Sequence, residues 1–273
     1  MEKERIAILS FIRNGTSSMS AALRTLGYLP TNKPIVRDNP DGTPVWYILP
    51  DHHGPSYWLL DTVPQRFWLH QAITIGAYVA DGTDCDDTDV GWWPPYNGIV
   101  ELRPPADSPQ DMVTLIELLK HPSREFVLNV FEKIDAKGWN AIDDIPFMSP
   151  EWYVPFNERY KNAKNILIVR DSNEWYDSVL RLFAGDGARS DKAATAVFFD
   201  IPAFTEEHRK LSIMRYEAHN QQVIDYFKAK PEKLLVLKLP FNDNSWKPLC
   251  NFLDKEVPTV SFPWLHATRQ QKP

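Results

Sequence analysis

Apolar and polar positions fall into three kinds of stretch along the chain. The first kind is the short continuous apolar run. Examples are Ile6-Ala7-Ile8-Leu9, Ile166-Leu167-Ile168-Val169 and Leu234-Leu235-Val236-Leu237. Runs of this length predict strands buried on both faces, as in a parallel sheet. The second kind repeats at helical spacing. Met19, Ala22, Leu23 and Leu26 fall at i, i+3, i+4 and i+7, and Gly27 stands where a C-terminal cap belongs. Ser108-Pro109 opens a second such stretch, with Met112, Leu115, Ile116 and Leu119 on one face and His121-Pro122 at its end. A third carries Val127, Val130, Phe131 and Ile134, with Gly138 beyond it. Further helices are predicted over 151–163, where Pro155 implies a kink or two pieces, and over about 174–183, 206–228 and 246–253. A short strand over Trp139 to Pro146 ends in two carboxylates, Asp143 and Asp144.

The third kind, from Tyr28 to about Pro105, has no sustained period. Pro, Gly, Asp and Trp recur there, as in Asn39-Pro40-Asp41-Gly42 and Gly91-Trp92-Trp93-Pro94-Pro95. Within it, Trp46 to Leu49 and Tyr57 to Leu60 are candidates for short strands or buried loop, and Phe67 to Val79 is apolar enough for a helix. No repeat is visible. The stretch is too long for a bare connection in a compact domain, which points to local structure or function. Strands alternating with helices give the fold class: one α/β domain, a mostly parallel sheet flanked by helices, with a long irregular insertion after the first helix.

At 273 residues and a net charge of −6, the chain suits one sizeable domain, and an anionic ligand must be held by local donors. The same balance argues against nucleic acid as a partner. The two cysteines, Cys85 and Cys250, lack metal or disulfide spacing, which fits a reducing compartment. No apolar stretch is long enough to span a bilayer, and the first strand begins almost at once with no leader before it. The expectation is therefore a cytoplasmic protein. The acidic run from Asp81 to Asp89 lacks EF-hand spacing and a closing Glu, and reads as a solvated loop; His52-His53 reads as surface. No metal site is expected.

Candidate chemistry begins where the first strand meets the first helix, at Ser10-Phe11-Ile12-Arg13-Asn14-Gly15-Thr16-Ser17-Ser18. A strand, a tight polar loop and a helix start aim several backbone N–H groups and the positive end of a helix dipole at one spot, where an anion is the natural occupant. Gly15 permits close approach, Arg13 adds a charge and a forked donor, and Thr16, Ser17 and Ser18 supply hydroxyls. The plainer alternative is a capped helix whose hydroxyls serve only its own N-terminus. The Gly-Lys-Ser/Thr ending of an ATP-type P-loop is absent.

This loop resembles the 5′-phosphosulfate loop of the P-loop sulfotransferases, which usually read Pro-Lys-Ser-Gly-Thr-Thr or Pro-Arg-Thr-Gly-Thr-Thr-Ser. Arg13, Gly15 and Thr16 match; Ile12 stands where Pro is usual, and Ser10 where Gly is common. A second match lies at the next long strand. Arg170 follows Val169, and Ser178 comes eight positions later, the spacing that family uses for a 3′-phosphate. The two motifs are independent and in the family's order. Trp246-Lys247-Pro248-Leu249-Cys250-Asn251-Phe252-Leu253, followed by Phe262-Pro263, resembles the family's closing pattern. The resemblance covers residues 5–27 and roughly 139–266, and leaves out about 30–105.

The resemblance implies a P-loop three-layer fold and transfer of a sulfuryl group from 3′-phosphoadenosine 5′-phosphosulfate (PAPS) to a hydroxyl or amine of a small-molecule or glycan acceptor, without a metal. It implies cofactor contacts from Arg13, Asn14, Gly15, Thr16, Ser17 and Ser18 at the 5′ end and from Arg170 and Ser178 at the 3′ end. Arg13 is also the candidate for stabilising the leaving charge. Asp144, in Asp144-Ile145-Pro146, occupies the position of the general base, and Asp143 is its neighbouring competitor. Residues 30–105 become an acceptor-side insertion. Two rivals stand beside this reading: a non-catalytic binding protein on the same scaffold, and a P-loop metabolite kinase. The acceptor and the oligomeric state are not legible.

Overall fold

A computed structural model of the chain describes residues 4–30, 33–38, 44–49, 77–78, 100–101, 120–136, 138–143, 146–183 and 199–264. Strand β1 (Ile6–Ile8) leads into helix α1 (Thr16–Thr25). Strands β2 (Lys33–Asp38) and β3 (Pro44–Leu49) form an antiparallel pair, as do β4 (Ala77–Tyr78) and β5 (Val100–Glu101). Then follow α2 (Arg124–Ala136), β6 (Ala141–Ile142), α3 (Pro150–Arg159), β7 (Lys164–Val169) and α4 (Ser172–Phe183). A short turn of 3-10 helix, Glu206–His208, precedes α5 (Arg209–Phe227), and β8 (Leu234–Lys238) and α6 (Trp246–Leu253) close the described part.

Four of these strands make one sheet in the order β6-β1-β7-β8, every pair parallel. Side chains alternate across it, as the two-residue period of a strand requires. Ala7, Leu9 and Leu167 join one buried cluster with Val127, Phe131, Trp152, Phe156, Tyr216 and Val223, which places α2, α3 and α5 on that face. Ile6, Ile8, Ile166 and Ile168 join the other cluster with Met19, Leu23, Trp246, Leu249 and Cys250, which places α1 and α6 opposite. The result is a three-layer α/β fold with a buried parallel sheet.

The helical stripes read from spacing are the buried ones: Met19, Ala22 and Leu23 in α1, and Val127, Val130, Phe131 and Ile134 in α2. Gly27, just past α1, takes the left-handed φ of 86° that a helix stop of this kind uses. Helix α3 runs through Pro155 as one element.

Three expectations change. Val236, in the middle of β8, is 44% exposed, so this outer strand of the four-stranded sheet is not buried on both faces. Lys33–Asp38 is a strand where no period was visible. Ala77–Tyr78 is also a strand, paired to Val100–Glu101, and not helix; the rest of the helix expected over 67–79 lies outside the described residues. The helix expected over 108–119, the segment Tyr57 to Leu60 and the acidic run at 81–89 lie outside the described residues. Among the described residues, no helix is long and apolar enough to cross a membrane, and no group of three or more His, Cys, Asp or Glu is placed to hold a metal.

Parallel pairing sends the chain out of β1, β6, β7 and β8 at the same edge of the sheet. That edge is where ligands of open α/β sheets bind.

Candidate functional site

The loop after β1 is fixed residue by residue. Leu9 N–H still bonds Ile166 C=O at 2.9 Å, continuing the ladder with β7. At the next step the backbone turns away, and the Ser10 hydroxyl takes over: its Oγ accepts the Ile168 N–H at 2.6 Å. The hydroxyl thus replaces a ladder carbonyl, and it gives Ser10 a structural duty. The Leu9 carbonyl is bonded by His219 Nε2 at 2.7 Å, from α5. The Ile12 carbonyl accepts from Trp175 Nε1 at 3.0 Å, from α4. Burial pushes the His219 imidazole down to about 4, only partly opposed by its bond to Leu9, so the ring is neutral near pH 7.

The backbone then twists twice. Arg13 has a φ of 65° and Gly15 a φ of 73°, both left-handed. Gly15 is the N-cap of α1 and brings no side chain to cap it. The first internal bond runs from Met19 N–H to Gly15 C=O at 3.0 Å, so the N–H groups of the first turn have no partner within the helix. A Cβ on Gly15 would lie 3.0 Å from the Phe241 ring and 3.2 Å from Leu239, both in the segment leaving β8. Thr16 and Ser18 are buried in the first turn, with Ser17 between them more open.

The second motif sits against the first. Arg170 leaves the end of β7, and Ser178 lies on α4. Arg13 Nε donates to Ser178 Oγ at 3.2 Å. Tyr216, buried on α5, joins the remaining two: its hydroxyl accepts the Arg170 N–H at 3.0 Å and lies 3.3 Å from Asn14 Oδ1, which accepts from it. The predicted residues Arg13, Asn14, Gly15, Arg170 and Ser178 therefore converge at one edge of the sheet. Asn14 Nδ2 and Arg170 Nε are buried and have no hydrogen-bond partner among the described residues. A third arginine, Arg181, comes one turn after Ser178 on α4. Burial first, then Arg181, then Arg170, holds the Arg13 guanidinium below the ordinary arginine range. Opposing this crowd is Glu174, an exposed carboxylate whose Oε2 lies 3.2 Å from Arg170 Nη2. Three like charges and two orphaned buried donors suit a multiply charged anion.

At the end of β6, Asp143 is buried and its Oδ2 accepts from Ser20 Oγ of α1 at 2.8 Å. This turns one Asp143 carboxylate oxygen toward α1. Asp144 lies outside the described residues. Sequence reasoning missed Arg181, and did not see Tyr216 or Trp175 as connectors. The spacing of Ser178 and Arg181, three positions on one helix, is the one local signal that pointed to the former. Tyr216 meets partners that are far away in the chain, Arg170 and Asn14, so its sequence neighbours do not show them.

A search of curated proteins finds no match. Comparison with known protein families matches residues 95–271 to the sulfotransferase domain. The match contains β7, Arg170, Ser178, Tyr216 and β8; the loop from Ser10 to Ser18 precedes it and is joined to it through β1, which pairs with β6 and β7. With more than half of its 273 residues matched and the parallel three-layer fold in place, the chain belongs to the sulfotransferase family.

Proposed function

We propose that the chain transfers a sulfuryl group from PAPS to a hydroxyl or amine of a small-molecule or glycan acceptor. The observation that carries this reading is the meeting of Arg13 with Ser178, which brings the two anion motifs to one edge of the sheet. The donor set suits a nucleotide with phosphates at both ends: partnerless Asn14 Nδ2 near one motif, partnerless Arg170 Nε at the other, and Arg13 between them.

In this reading the first-turn N–H groups of α1, with Asn14, Thr16, Ser17 and Ser18, hold the 5′-phosphate end. Arg170 and Ser178 hold the 3′-phosphate, Arg170 as a fork and Ser178 as a single hydroxyl donor. When bound, PAPS supplies the activated sulfuryl group. The protein's part is positioning and electrostatics. Arg13 stabilises the negative charge that grows on the leaving 5′-phosphate, and its crowding by Arg170 and Arg181 makes an anion there more welcome. Asp144 takes the acceptor proton; an ordinary Asp, with a pKa of about 3.9, is ionised near neutrality and ready to do so. Residues 30–105 form the acceptor side, in one domain with the rest.

The test is single-turnover transfer from PAPS labelled in the sulfuryl group, run across sugar, alcohol, phenol and amine acceptors without added metal. Label on at least one acceptor class supports the reading. Tight cofactor binding with no transfer to any class would favour a binding protein on the same scaffold.

A further inference from the structure

We propose that the Tyr216 hydroxyl couples the two phosphate-binding segments, so that the 5′- and 3′-phosphates of one adenosine nucleotide bind cooperatively; the inference rests on the reading of the site given above. Tyr216 is a positioning residue. Its ring is 1% exposed and stacks on Trp175, with centroids 4.4 Å apart and planes 8° from parallel. Trp175 in turn donates to the Ile12 carbonyl at 3.0 Å, so the stack is tied to the amino-terminal loop. Phe11 closes another side, 5.9 Å from the Tyr216 ring. One turn further along α5, His219 bonds the Leu9 carbonyl at 2.7 Å and packs against Phe11, ring centroids 4.5 Å apart and planes tilted by 31°. The ring therefore has no room to follow one partner and leave the other.

Its single oxygen touches both motifs. It accepts the Arg170 N–H at 3.0 Å, lies 3.3 Å from Asn14 Oδ1, and lies 3.4 Å from the Arg170 carbonyl. Holding Asn14 by its Oδ1 leaves the Nδ2 donor, buried and partnerless, as the group available to an anion. Holding Arg170 by its main chain fixes where its guanidinium starts. An anion that orders Asn14 thus orders the Tyr216 hydroxyl, and through it Arg170. By linkage the effect runs equally in the other direction.

Calorimetric titration of the whole chain and of Tyr216→Phe, each with adenosine 3′,5′-bisphosphate and adenosine 5′-monophosphate, tests this. Phe keeps the stack and the volume and removes only the oxygen. The wild-type preference for the bisphosphate should shrink by roughly tenfold in the variant, the size of a lost hydrogen bond in a charged network. An unchanged preference, whether both affinities hold or fall together, overturns the coupling. Asn14→Ala gives an independent arm should Tyr216→Phe fold poorly. Coupling predicts weaker binding of adenosine 3′-monophosphate, although Asn14 belongs to the other motif; an unchanged affinity overturns it. Absence of bisphosphate binding by the wild type would overturn the site reading itself, a failure distinct from an unchanged preference.

Discussion

Arg13 Nε lies 3.2 Å from Ser178 Oγ, across 165 positions of chain. The contact joins the loop after the first strand to the helix after β7, and each belongs to a different half of the candidate site. It exists because β1 and β7 are adjacent and parallel, so both release their chains at one edge.

Gly15→Ala should destabilise the fold. A φ of 73° disfavours any residue with a Cβ, and the added atom would meet Phe241 at 3.0 Å and Leu239 at 3.2 Å. Left-handed strain and overpacking together suggest a loss of about 1–3 kcal/mol. Urea unfolding of the two proteins measures it; an equal midpoint would contradict the described loop.

Ser10→Ala should cost about 1–3 kcal/mol as well, because it leaves the Ile168 N–H buried between strands without an acceptor. Denaturant unfolding again measures the loss. The same variant should retain most of its affinity for adenosine 3′,5′-bisphosphate, since Ser10 spends its hydroxyl on the sheet.

His219 predicts a pH dependence with a definite sign. Its folded pKa is lowered from 6.5 to about 4, chiefly by burial. Between those values the unfolded chain takes up a proton at this residue and the folded chain does not. Stability from this group is therefore present above about pH 6.5 and is lost as pH falls toward about 4. The full loss is of order 3 kcal/mol. Unfolding midpoints of wild type and His219→Gln, compared across that window, isolate the effect. The variant should lose less stability on acidification, and parallel curves would contradict it.

Asp144→Asn should leave binding of adenosine 3′,5′-bisphosphate intact and lower single-turnover transfer by about 10²–10⁴-fold, the usual contribution of a general base. Asp143→Asn should instead act on stability, through its bond with Ser20. Transfer that survives Asp144→Asn unchanged would remove that residue from the chemistry.

Local pattern carried much of the architecture. Ile6 to Leu9 and Ile166 to Val169 were legible as buried strands because a doubly covered strand has no polar side, and Val127, Val130, Phe131 and Ile134 because a helix buries one stripe. At Ala77–Tyr78 the helix expectation misled because a short apolar run fits either element, and that strand is set by its partner Val100–Glu101. Of the site, Arg13, Gly15, Arg170 and Ser178 stood out because they sit at strand ends or helix starts, where loop chemistry is local. Tyr216 and Trp175 did not. They lie on helices α5 and α4, and only the folding of those helices over the sheet edge turns one hydroxyl and one indole N–H toward the loop. Arg181 differs from them, because its place three positions after Ser178 on α4 is a local signal.

The central claim is that two distant segments hold opposite ends of one nucleotide. Its most direct measurement is calorimetric titration of adenosine 3′,5′-bisphosphate into the wild-type chain and into Arg170→Ala. The account predicts saturable one-to-one binding by the wild type and a loss of roughly 10–100-fold in Arg170→Ala, the worth of charge-assisted hydrogen bonds to a phosphate. Equal affinity in the two proteins, or no binding by the wild type, would contradict it.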